Sequence, residues 1–292
     1  MMVTLPKPSG GFRWVQPFDF AQGKLALVCE ALEPFAAHFF TTRGWQLGGQ
    51  TRAADGGWDE VASAAHVDVT RLRRLRQVQG SDAATYKKGS ASPAGAAPEA
   101  DIVLTDDPST AIAVQTADCL PILIVDRRTG AVAAAHAGWR GLAARVPAVT
   151  VDRLASDCES RAEDLLVAVG PAIGACCYEV GEDVRARFAQ AGFTSEDIAR
   201  WFRARPSALP ANPPMRTLSA TRRPDHWFFD GWSCAREQLL SAGVPRDHIF
   251  TADLCTASHD ETFCSYRRDG AIAGRMAGVI RSKKLEVRTQ RF

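Results

Sequence analysis

At 292 residues the chain suits one large domain or two small ones, and it is long enough to bury a core without disulfide or metal staples. Its composition, 46% hydrophobic and 23% charged, is that of an ordinary globular protein and excludes wholesale disorder. Lys and Arg total 35 against 33 Asp and Glu, and an excess of +2 argues for neither a nucleic-acid nor a membrane surface. No apolar run approaches the ~18 residues that span a bilayer. Pro6, Pro8 and Gly10 interrupt any secretory apolar stretch, so the reading is a cytoplasmic protein. Eight cysteines with no C-x-x-C pair read as free thiols, neither a disulfide framework nor a zinc ribbon.

In chain order, Leu25 to Cys29 and Ala37 to Thr42 read as short strands, and Gly48, Gly49, Gly56 and Gly57 punctuate a loop. A helical pattern runs from about Asp59 to Arg76, and the Ala/Gly/Ser/Pro-rich stretch 81–100 reads as a surface loop. Apolar runs at Ala111 to Val114, Leu120 to Val125 and Ala131 to Ala135 predict buried strands, with the last two joined by a hairpin turn over Asp126 to Gly130. Gly141 to Cys158 has helical spacing, with Pro147 placed in a first turn. Leu165 to Val169 is a further strand, and Glu182 to Phe202 is helical with a break near Gly192. Residues 205–224 form a proline-rich excursion. The helix Gly231 to Ala242, ended by Gly243 and Pro245, precedes strands at Ile249 to Ala252 and Gly274 to Ile280. Helices and strands alternate with hairpin sections, which favours one α/β or α+β domain with mixed sheets.

The densest chemistry lies in Thr116-Ala-Asp-Cys-Leu-Pro121 and Ala135-His-Ala-Gly-Trp-Arg-Gly141. An antiparallel hairpin brings the start of its first strand beside the end of its second, so Cys119 and His136 meet at one end of a sheet. Such a pair serves either as a nucleophilic thiol with its base or as two zinc ligands, and the bland alternative is a buried thiol beside a core histidine. Gly170-Pro-Ala-Ile-Gly174 offers open backbone that can hold an anion, although a plain tight turn reads equally well. Arg267, Arg268 and Arg275 cluster near glycines, suited to phosphate or carboxylate or to an internal pair with Asp269.

These residues form a wider set with Phe39-Phe-Thr-Thr-Arg43, Gln77-Val-Gln-Gly80, Tyr178-Glu-Val180, Cys255-Thr256 and Ser265-Tyr-Arg-Arg-Asp-Gly270. In order from about His38 to Ile280, the set resembles the YfiH family, whose members are also called laccase-domain, polyphenol-oxidase-like or purine nucleoside phosphorylase proteins. The resemblance implies one layered domain over 1–292, with mixed sheets sandwiched between helices, similar to the catalytic domain of the cytotoxic necrotizing factor deamidases. It also implies a zinc site built from a His of Gln-Val-His-Gly, the Cys of Ala-Asp-Cys and the His of His-Ala-Gly-Trp-Arg-Gly. Cys119 and His136 match, whereas Gln79 stands where the first His belongs. An amide oxygen is a poor zinc donor beside a thiolate, so the sequence predicts a zinc site weakened or lost. Copper is less favoured still, since a blue-copper site wants two His with the Cys.

The resemblance implies phosphorolysis of adenosine, inosine or guanosine. Cys119 and His136 would be catalytic, Arg43, Arg140, Arg267, Gly170 and Gly174 would bind substrate or phosphate, and Gln79 would impair adenosine deamination. The partners would be a nucleoside and phosphate, with no nucleic acid and no membrane. Two other classes stand beside it. One is a cysteine-dependent amide hydrolase editing peptidoglycan precursors, and the other is a non-catalytic protein with a decayed metal site.

Overall fold

The computed structural model describes residues 5–16, 24–48, 57–90, 96–215 and 223–283. Gly49 and Gly56 of the glycine-punctuated loop, and 91–95 and 216–222 of the two predicted loop stretches, lie outside the described residues. The chain runs β1 (Phe12–Val15), β2 (Ala26–Cys29), β3 (Ala36–Thr41), α1 (Trp58–Ala64), β4 (Leu72–Arg73), β5 (Ala83–Tyr86), β6 (Ile102–Thr105) and β7 (Ala111–Thr116). Next come β8 (Leu120–Asp126), β9 (Val132–Ala137), α2 (Trp139–Ala143), α3 (Val146–Cys158), β10 (Leu165–Val169), β11 (Glu179–Gly181), α4 (Glu182–Gln190) and α5 (Ser195–Trp201). It closes with β12 (Phe202–Arg203), β13 (His226–Phe229), α6 (Gly231–Ser241), β14 (Ile249–Thr251), α7 (Tyr266–Asp269) and β15 (Met276–Ser282).

Two mixed six-stranded sheets, ordered β1-β2-β3-β15-β7-β4 and β14-β10-β8-β9-β6-β5, pack face to face. Their strands are apolar on both sides because each sheet also carries helices on its outer face. On β8, Leu120, Ile122 and Ile124 face the layer of α3 and α6, while Leu123 and Val125 face the other sheet. On β9 the helix-facing residues are Ala133, Ala135 and Ala137, small enough for α3 to sit close with Val151 and Leu154. Beyond the first sheet, Trp58, Val61 and Ala62 of α1 cover Phe39, Ala113 and Val279. A small third sheet, β11-β13-β12, joins the helical layer through Phe188 of α4, whose ring lies 5.2 Å from Phe202 and 5.1 Å from Phe229. The result is the sheet pair between helices that the sequence predicts.

Three stretches depart from the sequence reading. The helix predicted to Arg76 stops at Ala64, because His66 takes a left-handed backbone (φ 57°) and Asp68 caps a short turn with a bond from the Thr70 N–H. The predicted surface loop 81–100 carries β5, a half-buried edge strand parallel to β6, in which the small Ala83 and Ala84 are followed by Thr85 and Tyr86, types that favour strands. The described part of the proline-rich stretch is mostly exposed, as expected, and the departure there is Asn212, which is buried and bonds Asp253 O and the Cys255 N–H.

One buried polar group ties this fold to pH. His38 on β3 accepts the Cys29 N–H on Nε2 (2.9 Å), and its Nδ1 lies 3.2 Å from Ala36 O, so the ring sits as a neutral tautomer. Burial pushes its pKa down to about 4. A depressed histidine binds more protons unfolded than folded, so stability falls as pH drops from 6.5 towards 4, by roughly 3 kcal/mol when the drop is complete. Urea unfolding at successive pH values should show this slope in the wild type and lose most of it in His38→Gln.

Candidate active site

The β8–β9 hairpin pairs Pro121 with His136 and Leu120 with Ala137, so Cys119 stands at the strand mouth beside the ring of His136. Strand parity turns His136 to the same side as Val132 and Ala134, at the rim between the two sheets. The Cys119 thiol and the ring line the same cleft. Gly138 makes room for the thiol: a Cβ there would stand only 2.9 Å from the Cys119 sulfur.

Asp101 completes the arrangement, and sequence reasoning missed it. It opens β6, and its Oδ1 sits 2.7 Å from His136 Nδ1 while the His136 N–H donates to Asp101 O at 2.8 Å. The other carboxylate oxygen accepts the backbone N–H groups of Val78 (3.1 Å) and Gly80 (2.7 Å), the residues flanking Gln79. The Gln77-Val-Gln-Gly80 turn is thus wound around Asp101, with Gln79 at its tip in a left-handed conformation (φ 61°). Burial works to raise the Asp101 carboxyl, but the bonds from His136, Gly80 and Val78 outweigh it and hold it below its usual range. Burial likewise disfavours charge on His136, yet Cys119 and Asp101 together push its pKa up to about 9. The only sequence signal for Asp101 is an ionisable residue opening the apolar run Ile102 to Leu104, hidden behind a stretch rich in Ala, Gly and Pro.

Behind Cys119, Asp118 adopts φ 91°, a conformation that needs support in a non-glycine residue. Its buried carboxylate accepts Thr256 Oγ1 and the Arg267 N–H, both at 2.6 Å, and its carbonyl accepts the Ile173 N–H at 2.9 Å. Burial raises this carboxyl against those bonds. Three segments distant in sequence therefore fix the residue before the thiol.

The pair opens into a cleft of about 740 Å³, within the size range of small-molecule sites. Trp139, Tyr178 and Tyr266 line it with Arg140 and Arg267. Arg140 lies over the Trp139 ring and donates to Gln79 Oε1 at 3.1 Å. Arg267 lies over the Tyr178 ring and donates to Glu179 O at 2.6 Å. Arg275 also reaches the cleft, whereas Arg268 is taken up by Asp269 in a two-bond internal pair.

Three predicted binding residues lie elsewhere. Arg43 gives its guanidinium to Asp260 O and does not line the cleft. Gly170 is a hollow for the Phe40 ring, which an added Cβ would overlap, so its glycine serves packing between sheets. Gly174 lies against Trp232, 2.6 Å from where its Cβ would be, and spends its N–H on the Cys255 sulfur. A separate groove of about 660 Å³ between α3, α5 and α6 is lined by no cysteine or histidine, and Arg200 there is paired with Asp197 and Glu237.

Residues 43–283 match the family described as multi-copper polyphenol oxidoreductase laccase. The chain belongs to this family. Among its relatives, the purine nucleoside phosphorylase YfiH of Escherichia coli is 38% identical over 206 residues, 70% of this chain and 72% of that one. The purine nucleoside phosphorylase YlmD of Geobacillus stearothermophilus is 35% identical over 210 residues, 70% of this chain and 69% of its own. A purine nucleoside phosphorylase of Bacteroides thetaiotaomicron is 32% identical over 180 residues, 62% of this chain, and only 60% of its own length is spanned. The crystal structure of YlmD from G. stearothermophilus superposes with a TM-score of 0.70 at 29% identity, covering 92% of this chain and 100% of that one. The Bacillus licheniformis YfiH structure gives 0.73 at 24% identity with the same coverage, a likeness of fold.

The laccase-family description raises the question of a metal at this cleft, and the donors present do not fit one. A catalytic zinc ion takes three protein ligands, and a blue-copper ion takes two imidazoles with a thiolate. Here Cys119 and His136 supply two donors, and the third place is a neutral amide whose oxygen already accepts from a guanidinium. Among the described residues, the one group of three Cys, His, Asp or Glu donors lying within 4.8 Å of one another is Cys176, Cys177 and Cys255, outside this cleft. What Cys119, His136 and Asp101 form is a thiol, an imidazole and an orienting carboxylate in one chain.

Proposed function

We propose that the protein is a purine nucleoside phosphorylase that takes adenosine, inosine or guanosine with inorganic phosphate. The observation that carries this reading is His136, its Nδ1 held 2.7 Å from Asp101 Oδ1, beside Cys119 in a cleft bearing Arg140 and Arg267. Arg140 and Arg267 neutralise the phosphate, and Trp139, Tyr178 and Tyr266 offer ring faces to the purine. A phosphate oxygen forms the new bond to the anomeric carbon as the glycosidic C–N bond breaks. The electron pair of that bond goes to the base, and His136 supplies the proton that lets the purine leave neutral. Asp101 orients the ring and stabilises its charge. The names of the relatives support the substrate class. The free state of all eight cysteines suits the reducing cytoplasm, where we place the protein.

Incubation of the purified protein with each nucleoside should release base and ribose 1-phosphate only when phosphate is present. Adenosine should release little or no ammonia, because the donor set at Gln79 does not support a metal-activated water. Base release independent of phosphate, or zinc-dependent ammonia release, contradicts the reading.

A second reading rests on the same relay. Carboxylate, imidazole and thiol in sequence are the arrangement of a cysteine-dependent amide hydrolase, with Cys119 as nucleophile and His136 as its base. Hydrolysis of an amide of a cell-wall precursor that is lost in Cys119→Ala, in protein unable to phosphorolyse nucleosides, would favour it over the first.

A further inference from the structure

Packed against Tyr178, a residue of the cleft lining, three thiols converge from two loops. A turn that begins at Gly174, closed by bonds from the Cys177 and Tyr178 N–H groups to Gly174 O (2.9 Å each), presents Cys176 and Cys177. The strand-like segment Leu254 to Thr256 lies alongside through the bridge Ala172–Cys255 and presents the third. All three sulfurs lie within 4.8 Å of one another, and the three residues are buried, at 2%, 0% and 0% exposure. Cysteines that serve only as small apolar packing residues need no hydrogen-bond donors. Here the Gly174 N–H points at Cys255 Sγ and the Met215 N–H at Cys177 Sγ, both at 3.3 Å. Ser258 Oγ stands 3.5 Å from Cys176 Sγ and 3.4 Å from Cys177 Sγ while it donates to Pro213 O. Met215 packs against the same group. Amide donors aimed at sulfur favour the thiolate form, the form in which cysteine ligates.

We propose that Cys176, Cys177 and Cys255 form a closed structural site for a thiophilic d10 cation, with the Ser258 oxygen beside it as a fourth donor. Three soft donors with no carboxylate and no imidazole exclude Mg²⁺ and Ca²⁺ and suit Zn²⁺ or Cu⁺. Binding exchanges the thiol protons for the metal and releases them to solvent. Burial of all three sulfurs leaves no open position for a substrate, so the ion braces rather than reacts. What it braces is the cleft: Cys177 precedes Tyr178, which lines the cleft, and Cys255 precedes Thr256, which holds Asp118 behind Cys119.

The test uses the full-length Cys119→Ala protein, so that the cleft thiol cannot contribute, stripped of metal and kept reduced without oxygen. Zn²⁺ and Cu⁺ are titrated separately against a chromophoric chelator, and Co²⁺ is added to a third sample to read thiolate-to-metal charge transfer. The proposal expects one equivalent of zinc or copper held, charge transfer from several sulfurs with cobalt, and a higher unfolding temperature on loading. Cys176→Ser and Cys255→Ser in the same background should each weaken retention by roughly 10-fold or more. Cys176→Ser alone decides the matter should Cys255→Ser fail to fold. A folded Cys119→Ala protein that takes up neither ion overturns the proposal. So does uptake unchanged in the serine variants, or a disulfide among these three residues in freshly isolated protein.

Discussion

Replacing His136 with alanine should lower kcat/KM for phosphorolysis by roughly 10²–10⁴-fold, the range set by losing a positioned proton donor. The protein should remain folded, because the ring stands at the cleft rim and the backbone pairing of Pro121 with His136 survives the substitution. The pH profile carries the more specific signature. The pKa of His136 is pushed up to about 9, so the acid form persists through neutral pH and the rate should fall only as pH rises past that value. Asp101→Asn removes the carboxylate 2.7 Å from Nδ1 and should move the falling limb to lower pH. Asp101→Ala, unlike the asparagine variant, also removes the acceptor of the Val78 and Gly80 N–H groups that holds the Gln79 turn, so KM for phosphate should rise there as Arg140 loses its partner at Gln79. The same charge has a consequence for stability. A histidine whose folded pKa lies above its unfolded 6.5 stabilises the fold fully below 6.5, and this contribution is lost as pH rises through about 9.

The largest expected stability effect lies at Phe40. Its ring is buried on β3, tilted against Phe12 at 6.3 Å, and fills the hollow left by Gly170 at the end of β10. Gly278 on β15 also borders it, with 3.4 Å from a would-be Cβ to the ring. Phe40→Ala removes the side chain that joins the two sheets and should cost about 3–5 kcal/mol in urea unfolding. Gly170→Ala pushes a methyl group into the same ring and should cost about 1–3 kcal/mol by overpacking. Because the two substitutions contend for one space, the double variant should be more stable than the sum of the single losses predicts. Additive losses would separate Gly170 from Phe40 and return the glycine to the anion-binding role that its sequence suggests.

Gly170 shows why part of this molecule was not legible from its sequence. A glycine following a strand reads as open backbone, and only the arrival of Phe40 from the other sheet reveals a packing hollow. The helix over-read beyond Ala64 has a similar cause, since a left-handed His66 and the Asp68 cap override the apolar spacing downstream. By contrast, the β8–β9 hairpin was legible because its strands are consecutive, alternate cleanly between two cores, and join through a turn whose Asp126 side chain bonds Arg128 N and Thr129 Oγ1. That hairpin alone suffices to bring Cys119 to His136. Asp101 was not legible because it reaches His136 across the pairing of β6 with β9, strands separated by β7 and β8. Arg140 follows directly from its place three residues beyond β9. Arg43 carries the family pattern, yet its guanidinium is drawn to Asp260 O.

The relay of Asp101, His136 and Cys119 as a metal-free proton-handling unit is tested most directly by the titration of the His136 ring itself. Nitrogen-detected NMR of imidazole-labelled protein, with His136→Gln for assignment, follows its protonation from pH 5 to 10 before and after one equivalent of Zn²⁺. The ring should hold its proton to about pH 9, lose part of that elevation in Cys119→Ala and part in Asp101→Asn, and keep the same midpoint with zinc present. A midpoint at or below 6.5, or a ring nitrogen that shifts stoichiometrically on zinc addition, would contradict it.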